Sequence, residues 1–244
     1  MKITIIYDNT AFRKDLQDDW GFSALAEVAN VHEFGHEFTR ILFDTGADGK
    51  ILLDNMQKLG IDPLSIEEIF ISHLHSDHTG GLDEFLKANP KIKKIYVPSS
   101  LGLKNEVILK EPQKIHDNVF STGGLEGIEQ SMGIKTDKGI VLVVGCSHPY
   151  MGTILDAAKK FARQNFTRPS QISKKLGRTK QNLSGQGKIY AVIGGMHGFS
   201  EFELFKDLKL ICPAHCTQHK AELKKLYPEK YLEGGAGRVV ETPH

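Results

Sequence analysis

The sequence predicts an α+β protein in which two layers of β-sheet are covered by helices. Strand-like and helix-like patterns recur in two halves of the 244-residue chain. In each half an apolar run typical of a buried strand, residues 69–71 and residues 140–144, leads into polar side chains that could hold a metal ion. A hydrophobic content of 40% and a charged content of 25% are typical of a globular protein that buries a core.

The first half contains runs of β-branched and aromatic residues and two segments with helical periodicity. We predict strands over residues 2–7, 22–31, 41–44, 69–71 and 95–97. Helical periodicity covers residues 49–59, which Gly60 stops, and residues 82–88, which Asn89-Pro90 ends. These elements alternate along the chain, as a sheet covered by helices requires.

The second half repeats this alternation. Residues 106–145 hold several short strand-like runs separated by turns, and the last of them, residues 140–144, is continuously apolar. Further predicted elements are strands over residues 189–193, 208–212 and 238–241 and a helix over residues 218–226. The strand at residues 189–193 also ends in a histidine, His197, within a glycine-containing turn.

His32-Glu33-Phe34-Gly35-His36 matches the H-E-x-x-H pattern of zincin metalloproteases. That pattern holds zinc only on a helix, where positions i and i+4 place both histidines on one face. The flanking residues are β-formers, and Gly35 lies inside the motif. We therefore predict two strands joined by a hairpin here, and no metal site.

Four potential metal ligands follow the first of the two apolar strands within six positions. His73 and His75 are two residues apart, so in an extended segment both side chains point the same way. Asp77 and His78 add an oxygen and a nitrogen ligand, and two glycines after them let the backbone bend sharply. Imidazole and carboxylate without thiolate suit zinc, iron or manganese.

These residues match the H-x-H-x-D-H signature of the metallo-β-lactamase superfamily. The resemblance implies a four-layer αββα sandwich formed by one domain over residues 1–244, with two ββα-type halves and a basic insertion at about residues 160–188. Asp8-Asn9 and Trp20-Gly21-Phe22-Ser23 resemble a subgroup described as dihydropterin-ribofuranosyl-aminobenzene-phosphate-synthase-like.

The resemblance also implies a set of site residues and two divalent metal ions, with zinc favoured and manganese or iron as alternatives. The implied ligands are His73, His75 and His148 for one ion and Asp77, His78 and His215 for the other. Asp77 would in addition steer the attacking water and accept its proton. Asp44 would support the ligands from behind, and His197 would face either the ligands or the substrate.

One feature departs from the family pattern. Many members carry a bridging Asp in a Gly-Asp context after the strand that follows the third ligand, and no such Asp is present in this sequence. Cys146, which follows Gly145, could occupy that neighbourhood as a thiolate ligand or as a small buried residue. The second metal site is expected to be the weaker one.

Residues 159–188 carry nine basic residues and no Asp or Glu. Three interpretations remain open: a solvated basic loop, a flap that attracts an anionic substrate, and a helix-turn-helix that reads DNA. The third is disfavoured, because Gly185 and Gly187 would interrupt the recognition helix almost at once. We expect a small anionic substrate and no nucleic-acid partner.

The remaining composition excludes several classes of protein. A net charge of +1 gives no general attraction to nucleic acid or membranes, and no run of about 18 apolar residues is present. The three cysteines are too few for a disulfide framework, and Met1-Lys2 leads directly into a strand-like run. We expect no membrane segment and a cytoplasmic location; the oligomeric state is left open.

The function that these features predict is that of a metal-dependent hydrolase using a metal-bound hydroxide. The basic segment favours an anionic phosphoester or cyclic phosphodiester as substrate. The alternatives are a thioester, lactone or lactam hydrolase, a pterin-linked synthase, an iron-containing redox protein and a non-catalytic metal-binding protein.

Overall fold

The computed structural model describes residues 1–32, 35–166 and 187–241. Its strands are β1 (Lys2–Tyr7), β2 (Ser23–His32), β3 (Gly35–Phe43), β4 (Glu68–Phe70), β5 (Lys94–Val97), β6 (Glu106–Ile108), β7 (Gln113–Lys114), β8 (Val119–Ser121), β9 (Met132–Thr136), β10 (Gly139–Val144), β11 (Ile189–Gly195), β12 (Leu210–Ala214) and β13 (Val239–Glu241). Its α-helices are α1 (Gly49–Lys58), α2 (Ser76–Thr79), α3 (Leu82–Ala88), α4 (Met151–Phe166) and α5 (Lys220–Leu226).

The strands form two sheets. The first has the order β13-β1-β2-β3-β4-β5-β6, and the second has the order β12-β11-β10-β9-β8-β7. Strands β3 to β6 pair in parallel, as do β10, β11 and β12. Because the carboxyl ends of parallel strands lie at one edge of a sheet, the loops that follow β3, β4, β10, β11 and β12 can meet.

Three apolar clusters hold the layers together. The central cluster joins the facing sides of the two sheets and includes Phe43 and Val141. A second cluster packs the outer side of the second sheet against α4, and a third packs the outer side of the first sheet against α1 and α3. Strand β10 contributes to two of these clusters, because side chains alternate between the two faces of a strand. Val141 and Val143 face the central cluster, and Leu142 between them faces α4. The predicted four-layer αββα sandwich is confirmed.

The H-E-x-x-H segment contributes to two paired strands. Strands β2 and β3 pair antiparallel, from Ala24 opposite Phe43 to His32 opposite Gly35. This confirms the predicted hairpin, because a zincin helix would need continuous helical backbone across the motif.

Helix α4 was not predicted. It begins three residues after His148 and continues to Phe166, so Lys159, Lys160 and Arg163 lie on a helix and the loop interpretation is wrong for them. Its buried residues, among them Ile154 and Leu155, follow helical spacing, a signal that the basic side chains on its other faces obscured. The rest of the basic segment, from 167 to 186, lies outside the described residues.

No helix within the described ranges is both long and apolar enough to cross a membrane.

Candidate metal centre

All six ligands implied by the resemblance lie together at the shared edge of the two sheets. They are His73, His75, Asp77, His78, His148 and His215. The first four follow β4, His148 follows β10, and His215 follows β12. Parallel pairing within each sheet therefore brings together residues that are far apart in the sequence. Their assignment as metal ligands stays a prediction.

The first set of three is a cluster of imidazole nitrogens. His73 Nε2 lies 3.1 Å from His75 Nδ1 and 3.2 Å from His148 Nε2. Two nitrogens bound to one tetrahedral zinc ion at 2.0–2.1 Å are about 3.3 Å apart. The observed separations match those of ligands that share an ion.

The second set combines two imidazoles with a carboxylate. Asp77 Oδ2 lies 3.2 Å from His215 Nε2 and 3.7 Å from His78 Nε2. The His73 and His78 ring centroids are 4.1 Å apart, so the two sets adjoin. Two neighbouring ions would fit this arrangement, as the resemblance implies.

Hydrogen bonds behind His73 set the orientation of its ring. Ser72 Oγ donates its single proton to Asp44 Oδ2 at 2.7 Å, so we assign His73 Nδ1 as the donor to Ser72 Oγ at 2.9 Å. His73 Nε2 then carries the lone pair and faces the other two imidazoles. A ring held in this way is typical of a metal ligand, whose second nitrogen is fixed by a hydrogen bond.

The other buried histidines are held in the same manner. His78 Nδ1 donates to Asp44 Oδ2 at 2.7 Å. His215 Nδ1 lies 2.9 Å from Asn9 Oδ1, which also accepts the Gly21 N–H and is thereby identified as the amide oxygen. In both rings Nε2 is the atom directed into the site.

One atom in the site is placed as a cation ligand would be. His215 is 3% exposed, and its Nε2 has no hydrogen-bond partner, although Asp77 Oδ2 is 3.2 Å away. Buried polar atoms are otherwise almost always paired, because an unpaired one costs about 1–3 kcal/mol. A divalent ion bound by His215 Nε2 and Asp77 would satisfy both groups.

Burial and mutual repulsion keep part of the histidine cluster neutral. Burial, with the neighbouring His78 and His148, lowers the pKa of His73 to about 2. Burial and His197 lower the pKa of His148 to about 4. Burial also lowers the pKa of His78, but Asp44 outweighs it and raises that pKa. Neutral imidazole is the form that binds metal.

The Asp77 carboxyl is held in its charged form. Burial works to raise its pKa, and the neighbouring His215 and His78 outweigh burial and hold the pKa below its usual range. Trp20 Nε1 donates a hydrogen bond to Asp77 Oδ2 at 3.0 Å. Trp20 is 59% exposed, so its indole is a flat apolar surface beside the ligands. The sequence pattern singled out Trp20 only through the resemblance, without a role.

Glu129 is a site residue that the sequence analysis missed. Its Oε1 accepts the backbone N–H groups of Gly145, Cys146 and Ser147, and its Oε2 accepts that of His148. Burial raises the pKa of Glu129, and the N–H donors lower it in part. One buried carboxylate thus fixes the loop that presents His148. No local motif marks it, since it lies 19 residues before the histidine.

Asp8 performs the same task for the His215 loop and was also given no role. Its Oδ1 accepts the N–H groups of Asn9 and His215, and its Oδ2 accepts that of Gly235. Asp8 is fully buried. The end of β1 is thereby tied to the loop after β12.

Cys146 and His197 lie where the two ligand sets meet. Cys146 Sγ is 3.2 Å from His78 Nε2. His197 Nδ1 is 3.2 Å from the Cys146 carbonyl oxygen, and its ring centroid is 4.6 Å from that of His148. His197 therefore contacts the loop that carries His148, and its predicted place beside the ligands or the substrate stays a prediction.

The backbone is strained at the ends of the core strands. Among the residues that the structure describes, five non-glycine residues have positive φ, and four of them lie here, namely Asp44, Ser147, His197 and His215. Gly145 has no room for a side chain, because an added Cβ would collide with Ser72 Oγ. Such strain costs of order 1–3 kcal/mol per residue and concentrates at functional sites.

The fold and the clustered side chains define an αββα sandwich protein with a candidate binuclear metal centre at one edge of its sheets. The family model of the metallo-beta-lactamase superfamily matches residues 27–145 of the chain. This match confirms the resemblance carried by the H-x-H-x-D-H motif.

Similar proteins span nearly the whole chain. The 7,8-dihydropterin-6-methyl-4-(beta-D-ribofuranosyl)-aminobenzene-5'-phosphate synthase of Methanocaldococcus jannaschii is 28% identical over 98% of this chain and 95% of its own length. A crystal structure described as a metal-dependent hydrolase of the beta-lactamase superfamily covers 100% of both chains at 20% identity, with a TM-score of 0.66. A diphosphatase from the PhnP family covers 99% of this chain and 98% of its own at 12% identity, with a TM-score of 0.53.

Proposed function

We propose that the protein is a metal-dependent hydrolase that acts on a small anionic phosphoester or phosphodiester. The observation that carries this proposal is the pair of adjoining ligand sets, one of which includes the unpaired, buried Nε2 of His215. Divalent ions held by these residues would supply a water of lowered pKa and would polarise the bond to be cleaved. Zinc suits the imidazole-rich donor set, and manganese or iron would suit its carboxylate.

The chain's own residues supply orientation and proton transfer. Asp77 is charged, only partly exposed and held by Trp20 Nε1, so it is placed to orient a water molecule and accept its proton. Asp44, Glu129 and Asp8 keep the ligand loops in place before substrate arrives. A preorganised site of this kind needs little rearrangement during the reaction.

Support for an anionic substrate comes from the relatives rather than from the basic helix face. Lys159 and Arg163 lie eight and twelve residues after the start of α4, roughly 12–18 Å along the helix from the end near His148. The compound in the name of the similar synthase contains a phosphate ester. The similar protein of the PhnP family is described as a diphosphatase.

A pterin-linked synthase is the second candidate. The 28% identity over 98% of the chain favours it, and so does the exposed indole of Trp20 beside the ligands, because a flat aromatic ring stacks well on indole. In this case the product would be a compound that joins a dihydropterin to a phosphorylated ribofuranosyl-aminobenzene.

A substrate screen separates these candidates. Protein loaded with zinc, manganese or iron is assayed with phosphomonoesters, phosphodiesters, thioesters and lactones. In parallel it is assayed for formation of the dihydropterin compound from a phosphorylated ribofuranosyl-aminobenzene and a methyl-dihydropterin that bears a leaving group on its methyl carbon. We expect phosphoester turnover that is lost in Asp77→Asn and kept in Asp83→Asn, which removes the same charge from an exposed position on α3. Turnover confined to the synthase assay would transfer the assignment to the second candidate.

A further inference from the structure

Cys146 lies between the two ligand sets and is almost completely buried. Its exposed fraction is 2%, and its Sγ is 3.2 Å from His78 Nε2. Sγ and the ligand atoms of Asp77, His78 and His215 all lie within 4.8 Å of one another. The thiol thus lies beside the atoms that would hold the second ion, and it is also within 4.8 Å of the ligand atoms of His73 and His148.

The surroundings of Cys146 differ from those of a cysteine that fills a core. Cys212 belongs to the central apolar cluster, whereas Cys146 belongs to none of the three apolar clusters found among the described residues. Its neighbours are imidazole and carboxylate groups and the thiol of Cys216 instead. A buried thiol among metal-binding groups has a different role from one that packs against aliphatic side chains.

A second observation points to a ligand at the same place. His215 Nε2 is buried and has no hydrogen-bond partner, and the bond from Nδ1 to Asn9 directs its lone pair into the group that contains Sγ. One nitrogen each from His78 and His215, an oxygen from Asp77 and the sulfur therefore lie within 4.8 Å of one another.

The backbone holds the thiol in this place. Glu129 Oε1 accepts the N–H groups of Gly145, Cys146 and Ser147, so the loop cannot rotate without breaking buried hydrogen bonds. Ser147 has a φ of 61°, a strained conformation that the same contacts maintain. The position of Sγ is therefore built by the fold.

We propose that the Cys146 thiolate is the fourth protein ligand of the ion held by Asp77, His78 and His215. It supplies the negative charge that a bridging carboxylate supplies in many relatives. Binding breaks the S–H bond, forms a metal–sulfur bond and releases the proton to solvent. The inference rests on the metal centre of the proposed function. It also predicts selectivity, because a thiolate favours zinc over manganese.

Cobalt substitution tests this ligand without any assay of activity. Protein loaded with Co²⁺ shows visible absorption whenever the ion is bound, and a near-ultraviolet sulfur-to-cobalt band only when a thiolate is a ligand. We expect the band in the wild type, in Cys212→Ser and in Cys216→Ser, and its loss in Cys146→Ser. Cys216 is the more demanding control, because its thiol lies beside Cys146.

A variant with a negative charge at position 146 controls for the possibility that Cys146→Ser loses the band because it misfolds. Cys146→Asp should bind cobalt with visible absorption and no sulfur band, and its preference for Zn²⁺ over Mn²⁺ should fall by at least tenfold in a competition experiment. The proposal is overturned if wild-type cobalt protein lacks the sulfur band, or if the band survives in Cys146→Ser. Absence of all cobalt binding would instead overturn the metal centre itself.

Discussion

Replacing Glu129 by Gln exchanges one carboxylate oxygen for an amide NH₂ group. The remaining oxygen can still accept the N–H groups of Gly145, Cys146 and Ser147. The NH₂ group then faces the His148 N–H, which now donates to Oε2 at 2.9 Å. The hydrogen bond from the His148 N–H is lost, and that N–H then faces another donor, the amide NH₂ group. The three hydrogen bonds to the remaining oxygen become weaker, because the acceptor is no longer charged.

The size of the effect follows from these contacts. A hydrogen bond to a charged group contributes about 1.5–3 kcal/mol, and the burial that raises the pKa of Glu129 offsets part of the gain from its charge. We therefore expect the free energy of unfolding to fall by about 2–3 kcal/mol. For a chain of this length that lowers the melting temperature by roughly 4–12 °C. Affinity for the first ion should fall about 10–100-fold, as is usual when a residue that orients a ligand is changed.

Thermal unfolding of the metal-free protein measures the first quantity, and competition for Zn²⁺ with a chromophoric chelator measures the second. Glu126→Gln is the matched control, because Glu126 is exposed on the same turn and the variant removes the same charge. We expect that control to stay within about 0.5 kcal/mol of the wild type. If Glu129→Gln unfolds and binds zinc like Glu126→Gln, the carboxylate does not hold the ligand loop and the reasoning is wrong.

Three further predictions concern the site and the H-E-x-x-H segment. Asp77→Asn should lower kcat at least about 100-fold. His32→Ala and His36→Ala should leave metal content and kcat near wild type. If these two variants had the larger effect, the assignment of the chemistry to the motif that contains Asp77 would be wrong. In the metal-free protein the free energy of unfolding should decrease as the pH falls below about 6.5, because His73 binds a proton in the unfolded chain there but only near pH 2 when folded. Denaturant titrations at pH 7.5 and 5 check this, and an equal pH dependence in His73→Asn would contradict it. Trp20→Phe removes the hydrogen bond to Asp77 but keeps an aromatic ring, so kcat should fall about tenfold; unchanged kcat would show that the bond has no part in catalysis.

The part of the site that depends on local spacing could be predicted from the sequence. His73 and His75 are two residues apart after an apolar run, and Asp77 and His78 follow within one turn. The chain itself determines that such side chains share a face, whatever the rest of the protein does. The same holds for β10, whose apolar run led to Cys146 and His148, and for the hairpin that replaced the zincin interpretation.

The carboxylates that hold the ligand loops in place could be identified only from the tertiary structure. Asp8 lies 207 residues before His215, and Glu129 lies 19 residues before His148, so no spacing connects either carboxylate to the loop it holds. Each becomes a partner only after the strands have paired in register and buried the loops that need hydrogen bonds. The placement of Cys146 Sγ beside His78 Nε2 has the same origin, because those residues follow strands of different sheets. Local sequence sets which atoms a residue can offer, and the packing of the two sheets sets which atoms they meet.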